Sequence, residues 1–364
     1  MHKTSAWPLA LAYIALIFYA SLYPFADWRD QGIAPWAFLT APLPKYWTGF
    51  DVAINVVGYA PLGFLLALSV LRTGRSRWLV WLALLGAGVL SLAMETLQSY
   101  LPTRVPSNVD LTLNTLGAWI GGAVAVVLEK LGAIERWSRF RARWFVPGAR
   151  GGLVLLALWP VALLFPAAVP FGLGQVMERL EAAVTEQLLN TPFLDWLPVR
   201  DVELQPLLPG TEGLCVMLGA LVPCLLGFCI IRSRGQRAVF AIAMVAAGMA
   251  ATALSAALSY GPAHTWDWLT APVQVGLTAA TVLALLLASA PRRASVALML
   301  LSLGLYLGLL NQAPASPYFS QTLQTWEQGR FIRFNGLAQW LGWLWPYAVL
   351  IYALAQVWDR EAKN

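Results

Sequence analysis

Histidine and cysteine are nearly missing from this chain, with two of the former and three of the latter in 364 residues. His2 lies at the beginning and His264 in a short Pro-rich turn, so no His-based metal site and no Ser-His-Asp arrangement can be assembled. Cys215, Cys224 and Cys229 share one apolar stretch at spacings that make neither a disulfide frame nor a zinc site, and they read as small packing residues. Glycine-rich nucleotide loops are absent too, which speaks against ATP-driven chemistry within the chain. No metal and no cofactor is expected. Charge is scarce as well: Asp, Glu, Lys and Arg make up 12% of the residues, against roughly 25% in a soluble domain.

Apolar side chains take up the difference, at 59% of the chain with a mean hydropathy of +0.64. The expected fold class is all-α, a polytopic membrane helix bundle. A hydrocarbon core of about 30 Å needs about 20 apolar residues per crossing helix. Windows of that length predict about ten transmembrane helices, near 7–25, 51–71, 78–100, 109–130, 152–171, 212–231, 237–259, 269–290, 294–311 and 337–357. The first has only Lys3 before it and no small-residue cleavage site before Phe25, so it reads as a retained helix, not a signal peptide.

Basic residues resist translocation and collect in cytoplasmic loops. Placing both termini in the cytoplasm puts most of the 24 Lys and Arg on that side and most of the 18 carboxylates on the other. The net charge of +6 is then a sum over two opposite faces, and points to anionic lipid as a partner and not to nucleic acid. The run ERWSRFRARWF at 135–145 interleaves Arg with Trp and Phe and reads as an interfacial amphipathic stretch. It marks the one expected internal boundary, between a four-helix membrane domain at 1–131 and a six-helix domain at 132–364. The latter includes an external segment, 172–211, where Met177, Leu180, Val184 and Leu188 form a helical stripe opposite three glutamates.

The most informative feature is a duplication. Asp51, Asn55, Gly58 and Gly63 in DVAINVVGYAPLG recur 59 positions later as Asp110, Asn114, Gly117 and Gly122 in DLTLNTLGAWIGG. Asp and Asn four residues apart share one helical face, and polar groups within membrane-length segments are costly enough to be functional suspects. Under the assigned topology the second and fourth helices run the same way, so the first four helices are expected to form a parallel two-helix repeat. Glu95 and Gln98 approach the external end of the third helix, with Arg104 on the short loop above and Gly117 to Gly121 as a step suited to close helix packing. Asp51, Asn55, Glu95, Gln98, Arg104, Asp110 and Asn114 are thus the candidate substrate-binding set, converging on one external vestibule. Asp at a helix start is also a plain cap, Asn a plain interhelical bond, and Arg104 a plain counter-ion.

At these residues the chain resembles the VanZ-like family of bacterial membrane proteins. The resemblance rests on Glu95, Gln98, Pro102, Arg104, Asp110, Asn114 and Gly117, preceded by Asp51, Asn55, Gly58, Pro61 and Gly63, and covers roughly residues 7–130. Family members commonly carry a His or Lys near the start of the second helix, where this sequence has Val52, Ala53 and Ile54. The family's founding association is with teicoplanin resistance, so the resemblance implies a role in the bacterial cell envelope and no defined reaction.

Three carboxylates and two amides against one Arg suit the hydroxyls of a sugar, the amine of a peptide or a divalent cation better than a naked phosphate. The expected role is therefore to bind, shield or move a lipid-linked glycan or related envelope precursor at the external face of the cytoplasmic membrane. Arg330, Arg333 and Gln339, near a Trp-rich last helix, are secondary candidates for further donors. One alternative is an intramembrane enzyme with Glu95 as acid or base, Asp110 as its partner and Arg104 steadying an anion. A second is a membrane scaffold without ligand.

Overall fold

The computed structural model describes residues 6–23, 25, 27–43, 49–73, 78–165, 167–189, 191–194, 204–314 and 330–361. Twelve α-helices account for most of them, with no strand among the described residues beyond an isolated bridge between Phe145 and Ile231. A helix lies in each of the ten expected windows. Six have the length and apolarity to cross a membrane, and three further apolar helices are shorter. The protein is therefore an all-helical membrane protein, and it divides into two compact units, 1–140 and 141–364. That division falls inside the fifth helix, some residues beyond the boundary expected at 131.

The first unit contains α1 (Ala6–Leu22), α2 (Gly49–Arg72), α3 (Trp78–Gln98), α4 (Asn108–Lys130) and most of α5 (Ala133–Trp144). Its polarity is reversed relative to a soluble bundle. Val57 and Val89 expose 64% and 65% of their surface, whereas Ser91, Glu95 and Asn114 are buried. An apolar outside with a polar inside suits helices surrounded by lipid.

Glycine sets the closest approach in this unit. Gly117 and Gly121 on α4 face the backbone carbonyls of Val56 and Ala60 on α2, and Gly63 on α2 faces the backbone of Ala118. Because both contact series advance along the two chains in the same sense, α2 and α4 run parallel. Without a hydrophobic force between helices in lipid, such backbone contact is what holds a pair together. The duplicated glycines are not used alike: Gly58 has open space where its counterpart Gly117 is pressed against α2, and Gly122 meets the Leu84 side chain on α3. Ala10, Ile17 and Leu22 on α1 pack with Leu62 and Met94 to close the other side.

The second unit is built around α8 (Pro209–Ile230), an all-round apolar helix buried over most of its length, as such a pattern demands. Around it stand α6 (Arg150–Ala162), α9 (Arg234–Tyr260), α10 (Ala271–Leu287) and α11 (Arg292–Leu310), and α12 (Arg330–Glu361) packs against α6 and α11. Cys215, Cys224 and Cys229 are free thiols inside this core. The helix expected over 152–171 stops at Ala162, two residues after Pro160, and the chain continues in turns to Val176. The apolar stripe and the glutamates opposite it form α7 (Met177–Leu188), while residues 195–203 of the segment expected to be external lie outside the described residues.

Candidate functional site

The duplicated acids and amides gather at the end of the first unit where α3 stops and α4 begins, opposite the end that carries Arg72 and Lys130. Local capping makes the geometry. Ser107 precedes α4 in an extended conformation, and its hydroxyl accepts from the N–H groups of Val109 at 3.2 Å and Asp110 at 3.3 Å. The Ser107 N–H donates in turn to Glu95 Oε2 at 2.8 Å. A glutamate exposed by only 3% is thus held by the backbone that starts the next helix.

Asp110 sits in the first turn of α4, where a negative charge complements the helix dipole. It is within electrostatic reach of Glu95 and accepts from Asn55 Nδ2 of α2 at 2.8 Å. Asp51 occupies the matching first turn of α2 and is half-buried. Asn114, a turn farther along α4, donates to the Ser91 hydroxyl at 3.0 Å. Asn114 therefore lies at the level of Ser91, not of Glu95. The buried Asn114 Oδ1 has no hydrogen-bond partner, and the same holds for the Tyr59 hydroxyl, whose neighbours include Ser91 and Glu95.

Gln98 and Arg104 take another direction. Gln98 Nε2 donates to the Ser21 carbonyl at 3.0 Å, and Arg104 Nη2 donates to the carbonyls of Ala20 at 3.2 Å and Tyr23 at 2.6 Å. These carbonyls end α1, where unsatisfied acceptors and the negative pole of the helix attract a cation. The structure thus brings Asn55, Glu95 and Asp110 together, places Asn114 just below and Asp51 at the same end, and ties Gln98 and Arg104 to α1. Arg330, Arg333 and Gln339 belong to α12 of the second unit. Gln339 is half-buried, and the side chains of the two arginines lie outside the described residues.

Sequence reasoning missed Ser91, Tyr59 and Ser107, although each left a signal. Ser91 is four residues before Glu95 and Tyr59 four after Asn55, so each shares a face with a named candidate. Ser107 followed by Asn108, Val109 and Asp110 is a helix-start pattern.

Below the cluster an apolar groove of about 500 Å³ opens between α1, α2 and α3, lined by residues such as Trp7, Leu62, Leu66, Ala87 and Leu90. Its lining reaches Ala93, two residues from Glu95. Among the described residues no group of three or more His, Cys, Asp or Glu is placed to hold a metal ion. The chemistry on offer is hydrogen-bond acceptance by two carboxylates and donation by amides, with a separate apolar groove in the same unit.

No curated protein and no solved structure matches the chain. Residues 6–129 match the family model VanZ/LLP1, and this stretch, which holds the whole Glu95 and Asp110 cluster, is VanZ-like.

Proposed function

We propose that the first unit binds a lipid-linked glycan or a related envelope precursor at the external face of the bacterial cytoplasmic membrane, and shields or moves it without making or breaking a bond. The pairing of the Glu95 and Asp110 carboxylates at the junction of α3 and α4 carries this reading, and an apolar groove elsewhere in the same unit, which neither carboxylate lines, supports it. Sugar hydroxyls or an amine supply the donors that two carboxylates want, and a polyprenyl chain suits a groove with almost no polar lining. The basic residues at the opposite end, Arg72, Lys130 and, just beyond, Arg136, support an external location, under an orientation with both termini cytoplasmic. The parallel run of α2 and α4 supports a two-helix repeat in which the two Asp-Asn pairs descend from a common element.

The enzymatic alternative assigns Glu95 and Asp110 as an acid and base pair with Arg104 steadying an anion. Arg104 is bonded to the end of α1, which favours binding over turnover. The full chain in nanodiscs, offered a polyprenyl-phosphate sugar, is expected to bind it without forming product. Glu95→Gln and Asp110→Asn should each weaken binding about tenfold, the loss of one charge-assisted hydrogen bond. Product formation that disappears in Glu95→Gln would establish the enzyme instead. No binding by the wild type, with wild-type envelope phenotypes in Asp51→Asn, Glu95→Gln and Arg104→Ala at normal abundance, would leave a scaffold.

A further inference from the structure

The second unit contains a cleft that the proposed role of the first does not use. It has a volume of about 480 Å³ and opens among the turn after α6, the start of α8, the end of α9 and the turn before α10. That volume is within the range of small-molecule sites, about 300–1,000 Å³.

Its chemistry is one-sided. Glu212, in the first turn of α8, and Asp267 line it, with no Lys or Arg among the described lining residues. His264 Nδ1 lies 2.6 Å from Asp267 Oδ2, and that carboxylate belongs to a side chain 69% exposed, so it stands at the mouth. Deeper in, the Thr252 hydroxyl is buried without a hydrogen-bond partner, whereas the Ser255 hydroxyl is already bonded to the Leu164 carbonyl at 2.8 Å. The unit's basic residues on α9 and α11, Arg234, Arg237, Arg292 and Arg293, stand at the opposite ends of those helices.

The wall is aromatic and held in place. The Trp268 indole N–H donates to the Thr265 carbonyl at 2.9 Å, and its ring lies 6.2 Å from that of Phe171. Phe171 is fully buried and lies 5.8 Å from Trp159. Phe165 and Tyr260 add further rings to the lining. Aromatic faces attract cations through their quadrupole, and carboxylates attract them directly. A phosphate or carboxylate ligand would meet repulsion from Glu212 and Asp267, with His264, already in contact with Asp267, as the one imidazole in the described lining.

We infer that this cleft binds an ammonium group, primary or quaternary, carried on a small apolar body, with Glu212 and Asp267 neutralising the charge and Trp268 and its ring neighbours packing the alkyl groups. The ammonium could come from a dissolved amine or from a lipid headgroup.

Choline serves as the probe and its uncharged isostere, 3,3-dimethylbutanol, as the control, each titrated calorimetrically into the full chain in detergent. Choline is expected to bind saturably and at least tenfold more tightly than the isostere. Glu212→Gln with Asp267→Asn should weaken choline at least tenfold. Asp267→Asn alone, at a side chain 69% exposed, should weaken it severalfold with the melting temperature of the wild type kept. Short-chain phosphatidylethanolamine that competes with choline, while phosphatidylglycerol does not, assigns the ammonium to a lipid; no competition by either assigns it to a soluble amine. The inference is overturned by equal binding of choline and its isostere, by no choline binding at all, or by unchanged choline affinity in the folded carboxylate variants.

Discussion

Gly121→Ala adds one carbon to the closest contact in the VanZ-like unit, and its effect can be worked out from the helix pair alone. A Cβ built at Gly121 would stand 1.9 Å from the Ala60 carbonyl oxygen, whereas non-bonded heavy atoms settle at about 3.5 Å. The obstacle is backbone, which cannot rotate away as a side chain can, so α4 must retreat from α2 by more than an ångström. Overpacking of this kind costs about 1–3 kcal/mol. With Tm falling about 2–4 °C per kcal/mol in chains of a few hundred residues, a drop of about 2–12 °C is expected. The same retreat pulls Asn55 Nδ2 from its 2.8 Å contact with Asp110 Oδ1, so glycan-lipid affinity should fall with stability. The matched control is Gly86→Ala on α3, where a new Cβ meets nothing within 4 Å and helix propensity favours alanine by about 0.5–1 kcal/mol. Melting of both variants in detergent, followed by loss of the monodisperse chromatographic peak, checks this. If Gly121→Ala melts with the wild type, α2 and α4 are not in backbone contact and the placement of Asn55 against Asp110 falls with it.

Three other variants probe the cluster itself. Asn55→Ala leaves Asp110 short of a donor in a half-buried site and should cost about 1–3 kcal/mol, and Asn55→Asp should cost more by setting a second carboxylate against it; melting temperatures in that order support the bond. Arg104→Ala removes the bonds to the Ala20 and Tyr23 carbonyls and should raise hydrogen exchange at the end of α1, with a loss of about 1.5–3 kcal/mol; exchange unchanged there would detach Arg104 from α1. Tyr59→Phe deletes a buried hydroxyl that has no partner, so its melting temperature should equal or exceed that of the wild type, and a clear fall would reveal a hidden partner such as an internal water.

Periodicity and hydropathy made the helices legible, because in lipid every backbone group must be satisfied within its own segment. The ends were less so. Pro160 was visible in the sequence, yet α6 runs through it and stops only at Ala162, since a proline inside a helix need not end it. The depth of Asn114 relative to Glu95 cannot be read from spacing alone, because it depends on where α4 starts relative to the end of α3. The intervening loop folds back so that Ser107 meets Glu95, and Asn114 drops to Ser91. The role of Gly121 was legible from its spacing to Gly117, whereas the different fates of Gly58 and Gly117 were not, because a shared local pattern does not say which of the two glycines faces the other helix of the pair. Least legible was Arg104. Its partners are main-chain carbonyls about 80 residues earlier, and carbonyls leave no mark in a sequence.

That last point bears on what the protein can bind. Counting side chains, an arginine among acids looks like an anion site, and Arg237 in the second unit invites the same reading. Arg237 Nη1 donates to the Ala290 carbonyl at 2.7 Å and to that of Ala288 at 3.4 Å, and its Nε donates to the Ile231 carbonyl at 3.2 Å. In both units a buried arginine is engaged by carbonyls at or just beyond the end of a helix, acceptors that lipid could not satisfy. The carboxylates are placed differently: Glu95 in the last turn of α3 lies near Asp110 in the first turn of α4, and Glu212 and Asp267 line one cleft of the second unit. Because the buried arginines of both units are engaged by carbonyls, the ligands proposed for each unit are ones rich in hydrogen-bond donors or positive charge, and not a bare phosphate.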